Sequence, residues 1–167
     1  MITSVVSFIS YFESVRRRTL NYFNTIPPEQ LEWRPKPGEF TCGDIIRHLA
    51  AAEQMYVGLV VEGRWIYPGH EADADSPVSL EATLAACNAS HMAAMERLRQ
   101  LPDSVLEEMR PPLGDGPPIK VWRWLLLLAE HEIHHRSQLA MYLTLLDVTP
   151  PHIYGMGVEE VIARATG

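Results

Sequence analysis

The sequence predicts an all-α protein: a four-helix bundle with long connecting loops. Apolar residues recur three and four positions apart in four long stretches, no stretch alternates with the two-residue period of a strand, and the proline-rich segments fall between the four stretches. Together these leave helix packing as the way to bury the apolar side chains.

Val5, Phe8, Phe12, Val15, Thr19 and Phe23 set the first helix over residues 3–25, closed by Pro27-Pro28. The connector "PPEQLEWRPKPGEF" carries a tryptophan among its prolines and is expected to be an ordered strap packed on the bundle. Thr41 is the N-cap of a second helix, with Asp44 in the capping-box position, running to about residue 62. On its wheel Ile45, His48, Ala52, Met55 and Leu59 share a face, so His48 is expected to look inward. Residues 63–78 read as a long loop over one end of the bundle.

Ser79 and Leu80 open a third helix, in which Leu80, Leu84, Cys87, His91, Ala94, Leu98 and Leu101 keep a four-three spacing up to Pro102. "PDSVLEEMRPPLGDGPPIK" is an irregular connection to a fourth helix from about Lys120 to Leu146. There Trp124, Leu128, His131, His135 and Tyr142 fall in one sector and point to the core. Trp122, Leu126, Ala129, Ile133 and Ala140 form a second apolar stripe on roughly the opposite side. An irregular "DVTPPHIYGMG" and a short helix near 157–164 complete the chain, read as a single domain over 1–167.

A formal net charge of −7 opposes binding to a phosphate backbone, so nucleic acid is not an expected partner. The basic run Arg16-Arg17-Arg18 reads as a solvated helix face. No apolar run reaches membrane-spanning length and the N-terminal stretch lacks the pattern of a signal peptide, so the expectation is a cytoplasmic protein without a membrane partner. Cys42 and Cys87 have no metal or redox spacing and read as free thiols.

Chemistry concentrates in "AEHEIHHRSQL", residues 129–139. His131 and His135 are four apart and can direct two ring nitrogens at one ion, while His48 on the core face of the second helix is the best third ligand. Three buried imidazoles without an ion would leave several polar nitrogens to satisfy in one apolar place. His134 is rotated to the edge, where it could bind in place of His131 or support a ligand, and His91 reads as a hydrogen-bonded core histidine that joins only if its stripe lies at the same height. His70 and His152 read as surface histidines. The match to the H-E-x-x-H pattern of zinc proteases does not extend: the longer motif needs glycine at 138 and histidine at 141, where this chain has Gln138 and Met141. A variant recruiting Glu159 or Glu160 would need a strand edge for substrate.

"LEWRPKPGEFTCGDIIRHLAAAE" and "EHEIHHRSQLAMYL" resemble the DinB/YfiT-like superfamily of metal-binding helical bundles, the latter close to that family's H-x-x-x-H-R-G-Q pattern. The resemblance covers nearly the whole chain and implies metal ligation by His48, His131 and His135, with positions left open for water or substrate. It implies a divalent ion, zinc or nickel most often, with manganese or iron also compatible. Ser137 stands where the family often has glycine.

The resemblance also implies a metal-dependent enzyme that uses a low-molecular-weight thiol, an S-transferase or isomerase acting on a small-molecule substrate. The cation would turn the thiol into a nucleophile at neutral pH. The alternatives are a hydrolase using metal-activated water, for which Glu132 lies about 100° from His131 on the wheel, and a non-catalytic metal-stabilised binding module. Cys42 at a helix start reads as a packing residue and Asp44 as a cap. The second stripe of the fourth helix predicts a homodimer.

Overall fold

The computed structural model describes residues 2–69 and 79–166. Four long helices, α1 (Val5–Phe23), α2 (Cys42–Glu62), α3 (Leu80–Arg99) and α4 (Val121–Leu145), form the bundle, followed by a short α5 (Val158–Thr166). Their starts follow local chemistry. The Ser4 and Ser79 hydroxyls accept from the amides of Ser7 and Ala82 at the heads of α1 and α3. At the head of α2, Thr41 Oγ1 accepts from the Asp44 amide and Asp44 Oδ2 from the Thr41 amide, each at 2.9 Å, completing the expected capping box. Gly63 ends α2 in the left-handed region, φ 75°, where its amide bonds to the Leu59 carbonyl.

The helices pack in the cyclic order α1, α3, α2, α4. Direction along the bundle follows from two apolar clusters. One gathers Phe8 and Phe12 of α1, Leu59 and Val60 of α2, Leu98 of α3 and Leu125 of α4. The other gathers Phe23 at the end of α1, Ile45 and Ile46 at the start of α2, Cys87 of α3 and Leu139 and Leu143 late in α4. Thus α1 and α4 run one way and α2 and α3 the other. Parallel α2 and α3 agree with the pairs Gln54 to Ser90 and Glu62 to Arg97. Glu62 and Leu80 therefore stand at opposite ends of the bundle, so the connection between them joins the two ends and does not merely cover one. Most of that connection, including His70, lies outside the described residues.

The strap before α2 is ordered as expected. Leu31 is buried, the Trp33 ring meets Tyr142 edge-on at 5.6 Å, and the amides of Cys42 and Gly43 bond to the carbonyls of Trp33 and Leu31. The connection after α3 is less irregular than expected. It holds a 3-10 turn at Asp103–Glu107 and a two-residue antiparallel ladder, β1 (Met109–Arg110) with β2 (Ile119–Lys120), too short to leave an alternation in the sequence. Among the described residues no helix is long and apolar enough to cross a membrane.

Two wheel readings change. The most buried line of α4 is Leu125, Ala129, Glu132, Arg136, Leu139 and Leu143, running between the two predicted stripes. His131 and His135 lie beside that line, half-buried, and face the groove toward α2. The run Arg16-Arg17-Arg18 is not wholly a solvated face either, because Arg16 is 2% exposed. Its position explains this: Phe12, Arg16, Thr19 and Phe23 follow the spacing of the apolar stripe, so the side chain points inward despite its charge.

Candidate metal centre

α2 and α4 pass each other antiparallel, bringing His48 opposite the i, i+4 pair His131 and His135. One ring nitrogen from each lies within 4.8 Å of the other two, and among the described residues this is the group of metal-type side chains that could hold an ion. The ring centroids are 5.0 Å apart for His48 and His131, and 4.6 Å for each of these with His135. His48 Nε2 and His131 Nε2 approach to 3.1 Å.

Neighbouring side chains set the rings. His135 Nδ1 lies 2.9 Å from Gln138 Oε1, and Gln138 Nε2 donates to the Tyr142 hydroxyl at 3.1 Å. Since Gln138 Oε1 only accepts, His135 carries its proton on Nδ1 and turns the lone pair of Nε2 toward the other rings. His48 Nδ1 lies 3.2 Å from the Tyr67 hydroxyl, and the Phe40 ring packs on His48 at 5.0 Å between centroids. His131 Nδ1 is buried and has no hydrogen-bond partner.

Electrostatics favour the neutral form of His131 and His135. Burial first, then the neighbouring histidines, lower the pKa of His131 from 6.5 to about 3. Burial likewise lowers that of His135, followed in size by the opposing effect of the Gln138 hydrogen bond and the lowering effect of His134. Neutral imidazole is the ligating form. Facing Nε2 atoms require a proton or a cation between their lone pairs, and an ion also lets His131 keep its proton on Nδ1. The donor set therefore fits a divalent cation.

The remaining candidates separate by position. His134 is exposed, its ring 5.0 Å from that of His135, and it stands outside the three-residue group. With His135, Phe40, Gln138, Ser137 and Met141 it lines an open pocket of about 590 Å³ beside the triad. His91 is the hydrogen-bonded core histidine expected, its Nδ1 2.7 Å from Glu53 Oε1. His152, Glu159 and Glu160 are exposed near the C-terminus. Cys42 and Cys87 are free and buried, and burial pushes both thiols up to about 11, so Cys42 packs and is not poised to react.

Glu132, the glutamate of "HEIHH", is 1% exposed and turned away from the histidines. Its Oε2 lies 3.0 Å from Arg16 Nη2, which also donates to Glu53 Oε2 at 2.6 Å. Arg16, Glu53 and Tyr67 were not legible as neighbours of the site. The signal for two of them was present, since Arg16 and Glu53 occupy apolar-stripe positions (Phe12, Arg16, Thr19 and Leu49, Glu53, Val57) where a charge needs a buried partner. Tyr67 carried no such signal.

A family profile described as the DinB superfamily matches residues 11–139, which include all three histidines of the triad. The chain belongs to the DinB superfamily. No curated protein sequence matches it. Solved structures similar to this DinB protein share its fold at low identity. A DinB-like protein from Bacillus cereus is 20% identical with a TM-score of 0.74, over 91% of this chain and 99% of its own. A DinB-like protein from Bacillus subtilis, YjoA, is 20% identical with a TM-score of 0.69, over 88% and 97%. YfiT from Bacillus subtilis, described as a probable metal-dependent hydrolase with an unusual four-helix bundle topology, is 19% identical with a TM-score of 0.67, over 87% and 89%.

Proposed function

We propose that this DinB protein is a divalent-metal-dependent enzyme, a single cytoplasmic domain over residues 1–167, that joins or rearranges small molecules through a low-molecular-weight thiol. In this reading His48, His131 and His135 are the metal ligands and the reaction is an S-transfer or isomerisation. Zinc and nickel suit three imidazoles, and manganese or iron are also compatible.

One observation carries the reading: three imidazoles converge at one point while the carboxylate of the same motif, Glu132, is held by Arg16 in the interior. The side chains thus offer ligands without a glutamate base, and a thiol needs none. A divalent cation bound there would favour the thiolate at neutral pH. Gln138 and Tyr67 orient the rings, Phe40 shields His48 from water, and the pocket beside His135 receives the electrophile. His134, on the pocket wall, would accept the proton that leaves the thiol.

A second reading, hydrolysis of an ester or amide by water, draws support from the description of YfiT. It uses the same ligands with a different base. Metal-loaded protein assayed with a panel of thiols and electrophiles is expected to show a rate that vanishes on chelation and in His131→Ala, and survives in Cys42→Ala. A metal-dependent rate confined to an ester and amide panel would replace the thiol reading. Silence in both panels, with a small molecule retained in native mass spectra, would make the protein a metal-stabilised binding module.

A further inference from the structure

Five polar side chains from the four helices of the bundle meet in its interior. They are Arg16 of α1, Glu53 of α2, Cys87 and His91 of α3, and Glu132 of α4. Arg16 is the hub: Nη2 reaches Glu53 Oε2 at 2.6 Å and Glu132 Oε2 at 3.0 Å, and Nη1 donates to Cys87 Sγ at 3.4 Å. His91 holds the other oxygen of Glu53 at 2.7 Å. Stability alone is a poor explanation for this arrangement, because a buried ion pair is weak evidence for stability and apolar residues of similar volume often replace one without loss.

The two carboxylates are not on arbitrary helices. Glu132 is the direct neighbour of His131 and precedes His135 by one turn, and Glu53 lies little more than one turn beyond His48 on α2. α1 supplies no ligand to the triad, yet its arginine touches both ligand-bearing helices within about two turns of their histidines. A guanidinium is a planar donor with a fixed geometry, so two carboxylates on one of its nitrogens are fixed relative to each other. We propose that Arg16 is the positioning residue of the metal centre: by tying Glu53 to Glu132 it sets the separation and rotation of α2 against α4, and thereby holds His48 at ligand distance from His131 and His135.

This inference rests on the histidine triad being a metal site, and the test separates the two. Cobalt(II) is titrated into metal-free protein, reading affinity by competition with a chelator and site geometry by the ligand-field absorption of the bound ion. Wild-type protein that takes up no cobalt(II) would end the metal reading itself. With wild-type binding established, Arg16→Lys keeps the charge and loses the fork. It is expected to retain its helical circular dichroism while binding cobalt(II) at least tenfold more weakly, with altered absorption bands.

The neutral triple variant Arg16→Met, Glu53→Gln, Glu132→Gln removes the tie without leaving a buried charge, and the same loss is expected there. Phe12→Leu, a core substitution beside the network, reports mere loosening of the bundle and is expected to leave both cobalt readouts unchanged. Folded Arg16→Lys or triple variants with wild-type affinity and bands overturn the proposal. So does a Phe12→Leu variant that loses affinity equally. A triple variant unable to fold would make the network a requirement of the fold and not of the centre, which also overturns it.

Discussion

His48 and His131 face each other through their Nε2 atoms at 3.1 Å across the groove between α2 and α4. Two nitrogens each about 2.0–2.1 Å from one tetrahedral ion are separated by roughly 3.3 Å, so this spacing would suit two ligands around a shared metal. His135 completes the group from one turn further along α4.

Purified protein is expected to hold about one divalent transition metal per chain, because three imidazoles make a usable site and two hold an ion poorly. Alanine at His48, His131 or His135 should each abolish retention through dialysis, while His134→Ala should keep it. Elemental analysis decides, and full occupancy in His48→Ala would remove that residue from the ligand set.

Gln138→Leu removes the acceptor that fixes the proton of His135 on Nδ1. Partners of this kind typically carry ten- to a hundredfold in metal affinity, and a loss of about that size is expected with little change in helix content. An unaltered affinity by chelator competition would show that packing alone orients the ring.

Acid should weaken the metal-free fold in a defined window. His131 has its pKa lowered to about 3 in the folded protein, against an ordinary value of 6.5. Between these values the unfolded chain binds a proton that the folded chain refuses, so stability rises with pH across the window. The contribution is whole above pH 6.5 and is lost as pH falls toward 3. Chemical denaturation at graded pH checks this, and His131→Gln should show a shallower slope. Metal binding should weaken in the same direction, since protonated imidazole is no ligand. A slope in His131→Gln equal to the wild type would remove His131 as the source.

A homodimer is proposed on a narrower basis than the second stripe of α4 suggested. Ala129 is buried within the chain, and Trp122, Ile133 and Ala140 pack in part against its own apolar clusters. What stays uncovered on α4 is Met141 and Leu145, joined on α5 by Val158, Val161 and Ile162. Exposed apolar side chains on these two helices favour pairing. Light scattering at micromolar concentration should give twice the 18.9 kDa of one chain, and a monomer mass would sink the proposal.

The helices were legible because their evidence is local. The three-four spacing of Phe8, Phe12 and Phe23, the Thr41 and Asp44 capping box, and the prolines at 27, 28 and 102 each act within one or two turns of chain. The triad was legible for a similar reason. His131 and His135 are one turn apart, and His48 already shared a wheel face with Ile45 and Ala52.

Single-sequence reasoning went astray where charge stood in for position. The charge of Arg16 suggests a solvated face, whereas packing brings Glu53 of α2 and Glu132 of α4 onto it. A wheel also cannot tell the centre of a buried face from its edge, because that depends on where the neighbours stand; hence His131 and His135 flank the core line that Glu132 and Arg136 occupy.

By itself, then, the sequence determined the helices, the capping box of α2 and the helix face on which each of the three histidines lies, all of which depend on residues a few positions apart. Tertiary structure alone decided that α2 runs parallel to α3 and antiparallel to α4, that Glu132 turns from the histidines toward Arg16, and that Gln138 and Tyr67 meet two of the rings. The direction of the helices and the partners of Arg16 and Tyr67 rest on contacts between residues far apart in sequence. The free energy of burying a charge or aiming an imidazole is settled by which distant side chain arrives beside it.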